Sequence, residues 1–206
     1  MKNMKRSVAL LVAIALLIGC AAGGTMAWLM DKTDDVTNTF VAGDITITLK
    51  ESPLNSDGTY GAPAENVTNA YTMIPGKEYK KDPVVTVVNG SEDCWLFVKF
   101  EETNSPSTYL TYTSNLNTGN GWTQGSGTIP EYVWYREVPS SATDQYWNML
   151  VGDTITVKDS VTKENMAAAA TAKLTYTAYA IQLDYLTDAN GDSTVDVEDA
   201  WELVNS

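Results

Sequence analysis

The chain has 206 residues, with 13 basic and 26 acidic side chains, a formal net charge of −13 at pH 7 and no histidine. The lack of histidine excludes Ser-His-Asp and Cys-His catalysis and most catalytic zinc sites. The negative charge argues against nucleic acid as a partner, because such binding depends on Lys and Arg that neutralise phosphates. Two cysteines, Cys20 and Cys94, are too few for a disulfide scaffold.

The N-terminus has the pattern of an export signal. All charged residues before position 28 are basic, and an apolar run follows them, as in a signal peptide. Small residues at Thr25 and Ala27 predict cleavage between Ala27 and Trp28. Residues 1–27 are therefore predicted to form a signal helix that meets the membrane only before cleavage, and the mature protein is predicted to be secreted.

Two other interpretations of this end stay open. The stretch from Leu17 to Cys20 fits a lipid-attachment site, with Cys20 as the lipidated residue. The 23 uncharged residues from Val8 to Met30 are also long enough to span a bilayer as an uncleaved anchor. Either outcome would hold the protein at the cell surface.

The region from 44 to 187 is predicted to be one β-sandwich domain. "DITITLK" alternates Ile and Leu with Thr, which indicates a half-buried strand. "VVTVV" and "CWLFVKF" are predicted to form a hairpin about Asn89-Gly90, because Asn-Gly tolerates the positive φ of tight turns. Further strands are predicted in "EYVWYREV", "DTITVK" and "KLTYTAYAIQL". Short strands with turn signals about every ten residues predict an all-β, antiparallel sandwich.

One or two short helices are predicted besides the strands. "SVTKENMAAAATAK" is rich in alanine, with Thr162 as a candidate cap and Glu164 in the first turn. The C-terminal segment "VEDAWELV" has apolar residues at helical spacing, which predicts a short amphipathic helix. Those apolar residues are Val197, Ala200, Trp201 and Val204.

The segment "DANGDSTVDVED", residues 188–199, has the spacing of a calcium-binding loop, which makes Ca²⁺ the one cofactor that the sequence suggests. Calcium prefers oxygen ligands, and such loops supply them from positions 1, 3, 5, 7, 9 and 12. The loop departs from the pattern at position 6, where Ser193 replaces the usual glycine. The predicted ligands are Asp188, Asn190, Asp192, the Thr194 carbonyl, Asp196 and Asp199.

The same residues have a simpler interpretation. Asp196 and Glu198 would favour the N-terminus of the last helix in an acidic turn that holds no ion. Residues 188–206 are therefore predicted to form an acidic turn and a C-terminal helix, with or without calcium.

The N-terminal stretch "GGTMAWLMDKTDDVTNTFVAGDITITL" resembles the exported N-terminus of the TasA/camelysin family of Gram-positive bacteria. The later segments "MIPGKEYKKDPVVTVVNGSEDCWLFVKFEE", "VWYREV" and "LTYTAYAIQ" resemble further strands of that family. The matching N-terminal residues are Gly23, Gly24, Thr25, Ala27, Trp28, Asn38, Thr39, Phe40, Gly43, Ile45, Ile47 and Leu49.

The resemblance implies a jelly-roll sandwich, maturation by a signal peptidase of the SipW type, and a structural role in the extracellular matrix of biofilms. Members of this kind assemble into fibres with copies of themselves and with other matrix proteins. In such fibres the N-terminal strand of one subunit fills a gap in the sheet of the next, so that an open sheet edge is satisfied by another chain.

The donor strand implied here lies in the leader, residues 28–43. Its apolar side chains would enter the next subunit, and the alternatives are an unstructured leader or a first edge strand of the same chain. The apolar residues in question are Trp28, Leu29, Val36 and Phe40.

The expected function is that of a secreted structural protein without enzymatic activity. Glu101 and Glu102 could serve as a carboxylate pair, but adjacent residues on a strand point to opposite faces. The alternative is a surface-anchored module, lipidated or membrane-anchored, that binds carbohydrate or protein through exposed aromatic rings. The candidate rings are Tyr109, Tyr112, Trp122, Tyr132 and Trp134, for which packing into the core is the competing explanation.

Overall fold

The computed structural model describes residues 30–32, 45–184 and 186–205 of the chain. This part folds as antiparallel β-sheets with three short helices. The strands are β1 (Met30–Lys32), β2 (Ile47–Lys50), β3 (Glu78–Lys80), β4 (Val84–Val87), β5 (Cys94–Thr103), β6 (Leu110–Thr111), β7 (Thr123–Gln124), β8 (Val133–Val138), β9 (Gln145–Asn148), β10 (Thr154–Val157) and β11 (Lys173–Gln182). The helices are α1 (Pro106–Tyr109), α2 (Met166–Ala169) and α3 (Val197–Asn205).

The largest sheet has the strand order β1-β11-β5-β8-β7. Its centre is the pairing of β5 with β11, which runs antiparallel over ten residues of each strand. Side chains alternate between faces, so Leu96 opposite Ala180 lies on one face and Phe97 opposite Tyr179 on the other. Because both faces carry apolar side chains, both need a covering layer.

A three-stranded sheet, β2-β4-β9, covers the first of these faces. Ile47 of β2 and Val85 of β4 pack with Leu96, Val98 and Ala180 in one buried cluster. The alternation predicted for β2 and β4 therefore places their apolar residues between the two sheets. This is the sandwich that the strand pattern predicts, and the all-β, antiparallel fold class is confirmed.

A second three-stranded sheet, β3-β10-β6, here called the end sheet, packs against Leu174 near the start of β11. It has its own buried cluster, in which Tyr79, Leu110 and Ile155 pack together with Ala169 of α2. The apolar face of β10, predicted from "DTITVK", belongs to this cluster.

The C-terminal helix α3 covers the other face of the largest sheet. Trp201 is 4% exposed, and its ring centroid lies 5.4 Å from that of Phe97 and 5.7 Å from that of Tyr179. Ala200 and Val204 are buried beside it. The predicted helix and its apolar stripe are thus confirmed, and the stripe completes the core.

The predicted hairpin about Asn89-Gly90 is wrong. β4 pairs with β2 and β9, whereas β5 pairs with β11 and β8, so the turn crosses from one sheet to the other. Gly90 has φ of 80°, as expected for the turn. The buried Ser91 side chain fixes the crossing, because its Oγ donates to the Val88 carbonyl at 2.7 Å and accepts the Thr46 N–H at 3.1 Å.

The interior helix is shorter than predicted. α2 begins at Met166, and Thr162 does not cap it; instead the Thr162 N–H donates to Asn165 Oδ1 at 2.8 Å. A hydrogen bond from Thr162 does lower the pKa of Glu164. The structure also contains α1, a single turn that the sequence pattern does not predict. Within the described ranges, no helix is both long and apolar enough to cross a membrane.

Replacing Trp201 by Ala should lower the free energy of unfolding by about 3–5 kcal/mol, because it removes the largest side chain between α3 and the sheet. Denaturant unfolding followed by fluorescence measures this. Glu202→Ala, on the exposed side of the same helix, is the control and should change stability by less than about 0.5 kcal/mol. Similar losses in the two variants would contradict the role of α3 in the core.

Candidate functional site

A groove of about 530 Å³ opens beside the end of β2 and the start of β11. Three parts of the chain line it, namely residues 49–51, the loop 64–71 and residues 173–176. Apolar side chains of the end sheet, including Leu110 and Ile155, line it as well. The groove is large enough to hold a ligand or a short segment of chain.

The outer edge of β11 is only partly paired. β1 pairs with it, antiparallel, at residues 179–181. In the part of the chain that the structure describes, no strand pairs with this edge over residues 173–177. Unpaired edge N–H and C=O groups form a template for another strand, and residues 173–176 line the groove.

Residues 66–71 of the loop 64–71 present a second extended backbone to the groove. Its side chains alternate as in a strand, with Val67, Asn69 and Tyr71 partly buried and the residues between them exposed. Residues 66–71 nevertheless form no backbone–backbone hydrogen bond with any described residue. The groove therefore lies beside two extended backbones, each with hydrogen-bonding capacity left over.

Glu51 holds the polar end of the groove together. Lys81 Nζ lies 3.0 Å from Oε2, while Asn69 Nδ2 donates to Oε1 at 2.8 Å and the Tyr71 hydroxyl lies 3.1 Å from the same oxygen. The ion pair is nearly buried, since the side chains of Lys81 and Glu51 are 9% and 12% exposed. Burial and the neighbouring carboxylate raise the pKa of Tyr71, which keeps its hydroxyl protonated.

A second carboxylate braces the same region. Asp82 accepts the Ser52 N–H at 2.9 Å and the Ser52 hydroxyl at 2.8 Å, and Lys80 Nζ lies 2.9 Å from it. Burial raises the pKa of Asp82, but the interactions with Lys80 and Ser52 outweigh this effect and hold the pKa below its usual value. These bonds tie the end of β2 to the start of β4.

Tyr176 lines the groove with a hydroxyl that has no hydrogen-bond partner. The residue is 7% exposed, its ring stacks on Phe100 at 4.7 Å, and Lys81 Nζ lies 5.9 Å from the ring centroid. Burial raises the pKa of Tyr176. An unpartnered buried hydroxyl is destabilising by about 1–3 kcal/mol.

The predicted calcium loop forms a compact turn. Asp188 accepts the Gly191 N–H at 2.6 Å and the Ser193 N–H at 3.0 Å, and Asp192 accepts the Thr194 N–H at 2.8 Å. Ser193 adopts φ of 73°, so it takes the left-handed conformation for which glycine normally serves at position 6.

Asp199, the predicted ligand at position 12, lies at the centre of this turn. Its carboxylate is buried and accepts N–H groups from Ala189 at 2.7 Å, Asn190 at 3.0 Å and Asp196 at 2.9 Å. These backbone donors lower the pKa of Asp199. Asp196 in turn accepts the Glu198 N–H at 2.8 Å, which caps α3 as the interpretation without an ion proposes.

In the described ranges, no three His, Cys, Asp or Glu side chains come together in a group that could hold a metal ion. The carboxylates of the turn hydrogen-bond to the backbone instead. Calcium binding by this loop stays a prediction from its sequence.

The other residues singled out from the sequence have definite places or lie outside the description. Cys94 is fully buried in the main cluster, and burial raises the pKa of its thiol to about 12, as expected for a structural cysteine. Glu101 pairs with Lys99 at 3.0 Å, whereas Glu102 accepts the Tyr112 hydroxyl. The cleavage residues Ala27 and Trp28, the lipidation residue Cys20, and Leu29, Val36 and Phe40 of the leader lie outside the described residues.

The aromatic residues proposed for carbohydrate stacking mostly belong to the core. Trp122 is 2% exposed, Trp134 packs against the main cluster, and Tyr109 and Tyr112 pack against the cluster of the end sheet. Of the five, Tyr132 alone is largely exposed, at 48%. Trp122 is therefore not available for stacking on a sugar, and Trp134, Tyr109 and Tyr112 are only partly exposed.

Replacing Glu51 by Leu should lower the free energy of unfolding by about 3–5 kcal/mol, because Lys81 would remain buried without its partner. The double variant Glu51→Leu with Lys81→Met removes both charges and should recover most of this loss. Denaturant unfolding of the two variants and the wild type measures the difference. Equal losses in the single and double variants would show that the buried charge is not what matters.

If the loop at 188–199 binds calcium, millimolar Ca²⁺ should raise the melting temperature, because an ion that binds only the folded state stabilises it. Asp188→Ala together with Asp192→Ala removes two predicted ligands and should abolish the rise. Differential scanning calorimetry with and without a chelator measures it. A wild-type melting temperature unchanged by millimolar calcium would leave the turn as a helix cap.

Comparison of the chain with family models, with curated proteins and with solved structures gives no match. The role of the groove is therefore argued from its geometry and from the pattern of the N-terminal residues.

Proposed function

We propose that the chain is a secreted structural protein of the extracellular matrix or cell surface, which joins copies of itself into fibres by strand addition. The observation that carries this proposal is the pairing of β1 with β11. Within one chain, the leader contacts an outer sheet edge over three residues, as in the alternative of a first edge strand, and no described strand pairs with residues 173–177 of that edge.

Strand addition suits this contact because it depends on backbone hydrogen bonds, which do not require that the two strands belong to one chain. β1 pairs with residues 179–181 of the β11 edge, and residues 173–176 of that edge line the groove. A leader from another copy, released by cleavage after Ala27, would displace β1 of the acceptor chain and extend along the edge into the groove.

The resemblance of the N-terminal residues to the TasA/camelysin family supports the same proposal. The resemblance implies export, maturation by a signal peptidase of the SipW type, and assembly with other matrix proteins. The burial of Trp122, together with the partial burial of Trp134, Tyr109 and Tyr112 against the core, weighs against the alternative of a carbohydrate-binding module.

The test is electron microscopy of the mature chain, residues 28–206, together with N-terminal sequencing of the secreted protein. Filaments that increase with concentration and a mature start at Trp28 are the expected results. A mature chain that stays monomeric at the highest concentrations reached would overturn the proposal.

Variants of β1 test the strand contact itself. Asp31→Pro with Lys32→Pro removes two consecutive N–H groups, one of which faces the partner strand, and should abolish filaments. The matched control, Asp31→Ala with Lys32→Ala, keeps both N–H groups and should form filaments as the wild type does. Melting curves establish that both variants remain folded. Filaments from the proline variant would contradict strand addition through this segment.

A further inference from the structure

The side chains that line the groove carry a small net positive charge, whereas the whole chain is acidic. Its lining carries Lys50, Lys81 and Lys173 against Glu51 and Glu65. Lys81 is neutralised by Glu51 at 3.0 Å. Lys50 and Lys173 are exposed, and neither forms an ion pair with another described residue. Glu65 remains as one carboxylate against these two lysines. Hydrogen bonds from Asn89 lower the pKa of Asp144, and Lys50 also contributes to this lowering. In a chain with twice as many acidic as basic residues, the rim of the groove is still basic by one charge.

The groove is also shaped for an extended partner rather than a compact one. The unpaired part of the β11 edge and the loop 66–71 both offer backbone hydrogen bonds. An extended peptide with polar side chains can meet all of these groups at once, whereas an apolar ligand would leave them unsatisfied.

The leader of this chain has the complementary chemistry. Between residues 28 and 43 it carries Asp31, Asp34 and Asp35 against Lys32 alone. These acidic residues fall within and directly after the segment that forms β1. A leader aligned along the β11 edge would bring its aspartates towards the basic rim.

We propose that Lys50 and Lys173 select the acidic leader of a second copy of this chain and guide it into the groove. This proposal rests on the function proposed above, because it names the partner and the selecting residues of the same site. The lysines add little to the contact itself, since exposed ion pairs each contribute about a twofold to fivefold effect. Their main effect is on selection and on the rate of encounter, which charge complementarity raises and salt reduces.

Charge reversal tests the role of the two lysines. Lys50→Glu with Lys173→Glu should slow filament growth at low salt by about tenfold or more, because the reversed charges repel the acidic leader and electrostatic steering changes encounter rates by about 10- to 10³-fold. The matched control is Lys77→Glu with Lys163→Glu, which makes the same change of net charge at exposed positions outside the groove lining. The control should slow growth by less than about twofold. Light scattering measures the rates, and melting curves establish folding.

Two further measurements complete the test. The wild-type rate should fall as salt rises from about 50 to about 500 mM, because the screening length shortens from about 14 Å to about 4 Å. Reversing the leader, with Asp34→Lys and Asp35→Lys, should restore growth of the groove variant. If the groove variant does not fold, two other rates test the role of the lysines. Wild-type filament growth should slow as salt rises, and Asp34→Asn with Asp35→Asn should slow growth at low salt.

The outcomes separate the two proposals. Absence of wild-type filaments would overturn the proposed function. Wild-type filaments whose growth rate is insensitive to salt, and equal in the groove and control variants, would leave the fibre proposal standing and overturn the role of the lysines.

Discussion

The antiparallel pairing of β5 with β11 is the contact on which the rest of the structure depends. β5 has a partner on each side, since β8 takes its other edge. Among the described strands, β11 has β5 on one side and only the three residues of β1 on the other. The incomplete edge is therefore a direct result of where β11 lies in the strand order. Because this ladder is apolar on both faces, one face takes the second sheet and the other takes α3.

Charged residues form the polar end of the groove beside that edge. The buried pair of Glu51 and Lys81 is held by hydrogen bonds from Asn69 and Tyr71, so both charges are satisfied. Such a pair contributes little net stability but strongly disfavours any arrangement that separates its members. It therefore fixes the relative positions of β2, the loop 64–71 and the start of β4. Lysines at an open edge also discourage indiscriminate pairing with other sheets, which is compatible with admitting one acidic strand.

The strands and α3 could be predicted from the sequence because their signals are local. Alternation in β2, β4 and β10 and helical spacing at Val197, Ala200, Trp201 and Val204 depend only on neighbours along the chain. Pairing is not a local property, and Asn89-Gly90 shows this. The turn residues correctly predict a positive φ, but not whether the two strands stay in one sheet.

The groove could not be predicted for the same reason. Glu51 and Lys81 are 30 residues apart, and Tyr176 comes from the other end of the domain. The loop 64–71 contains residue types that are common in irregular segments. The alternation of its exposed and partly buried side chains therefore cannot be predicted from the sequence. One weak signal was present in "YKKDP", where Lys81 and Asp82, both of charged types, are followed by Pro83 and an apolar strand. Charged residues directly before a buried strand indicate a paired, partly buried cluster, although not its partner.

The leader and the groove are different surfaces of one molecule, and this has a consequence for the symmetry of any assembly they build. A contact between unlike surfaces is heterologous, and each added copy presents the same free surface again. Unless the rotation between neighbours closes a ring, the result is an open, directional filament with two unlike ends. One end would expose an unfilled groove and the other an unplaced leader. Growth at the two ends would then proceed by different encounters, and a molecule that lacks a free leader would terminate one end alone.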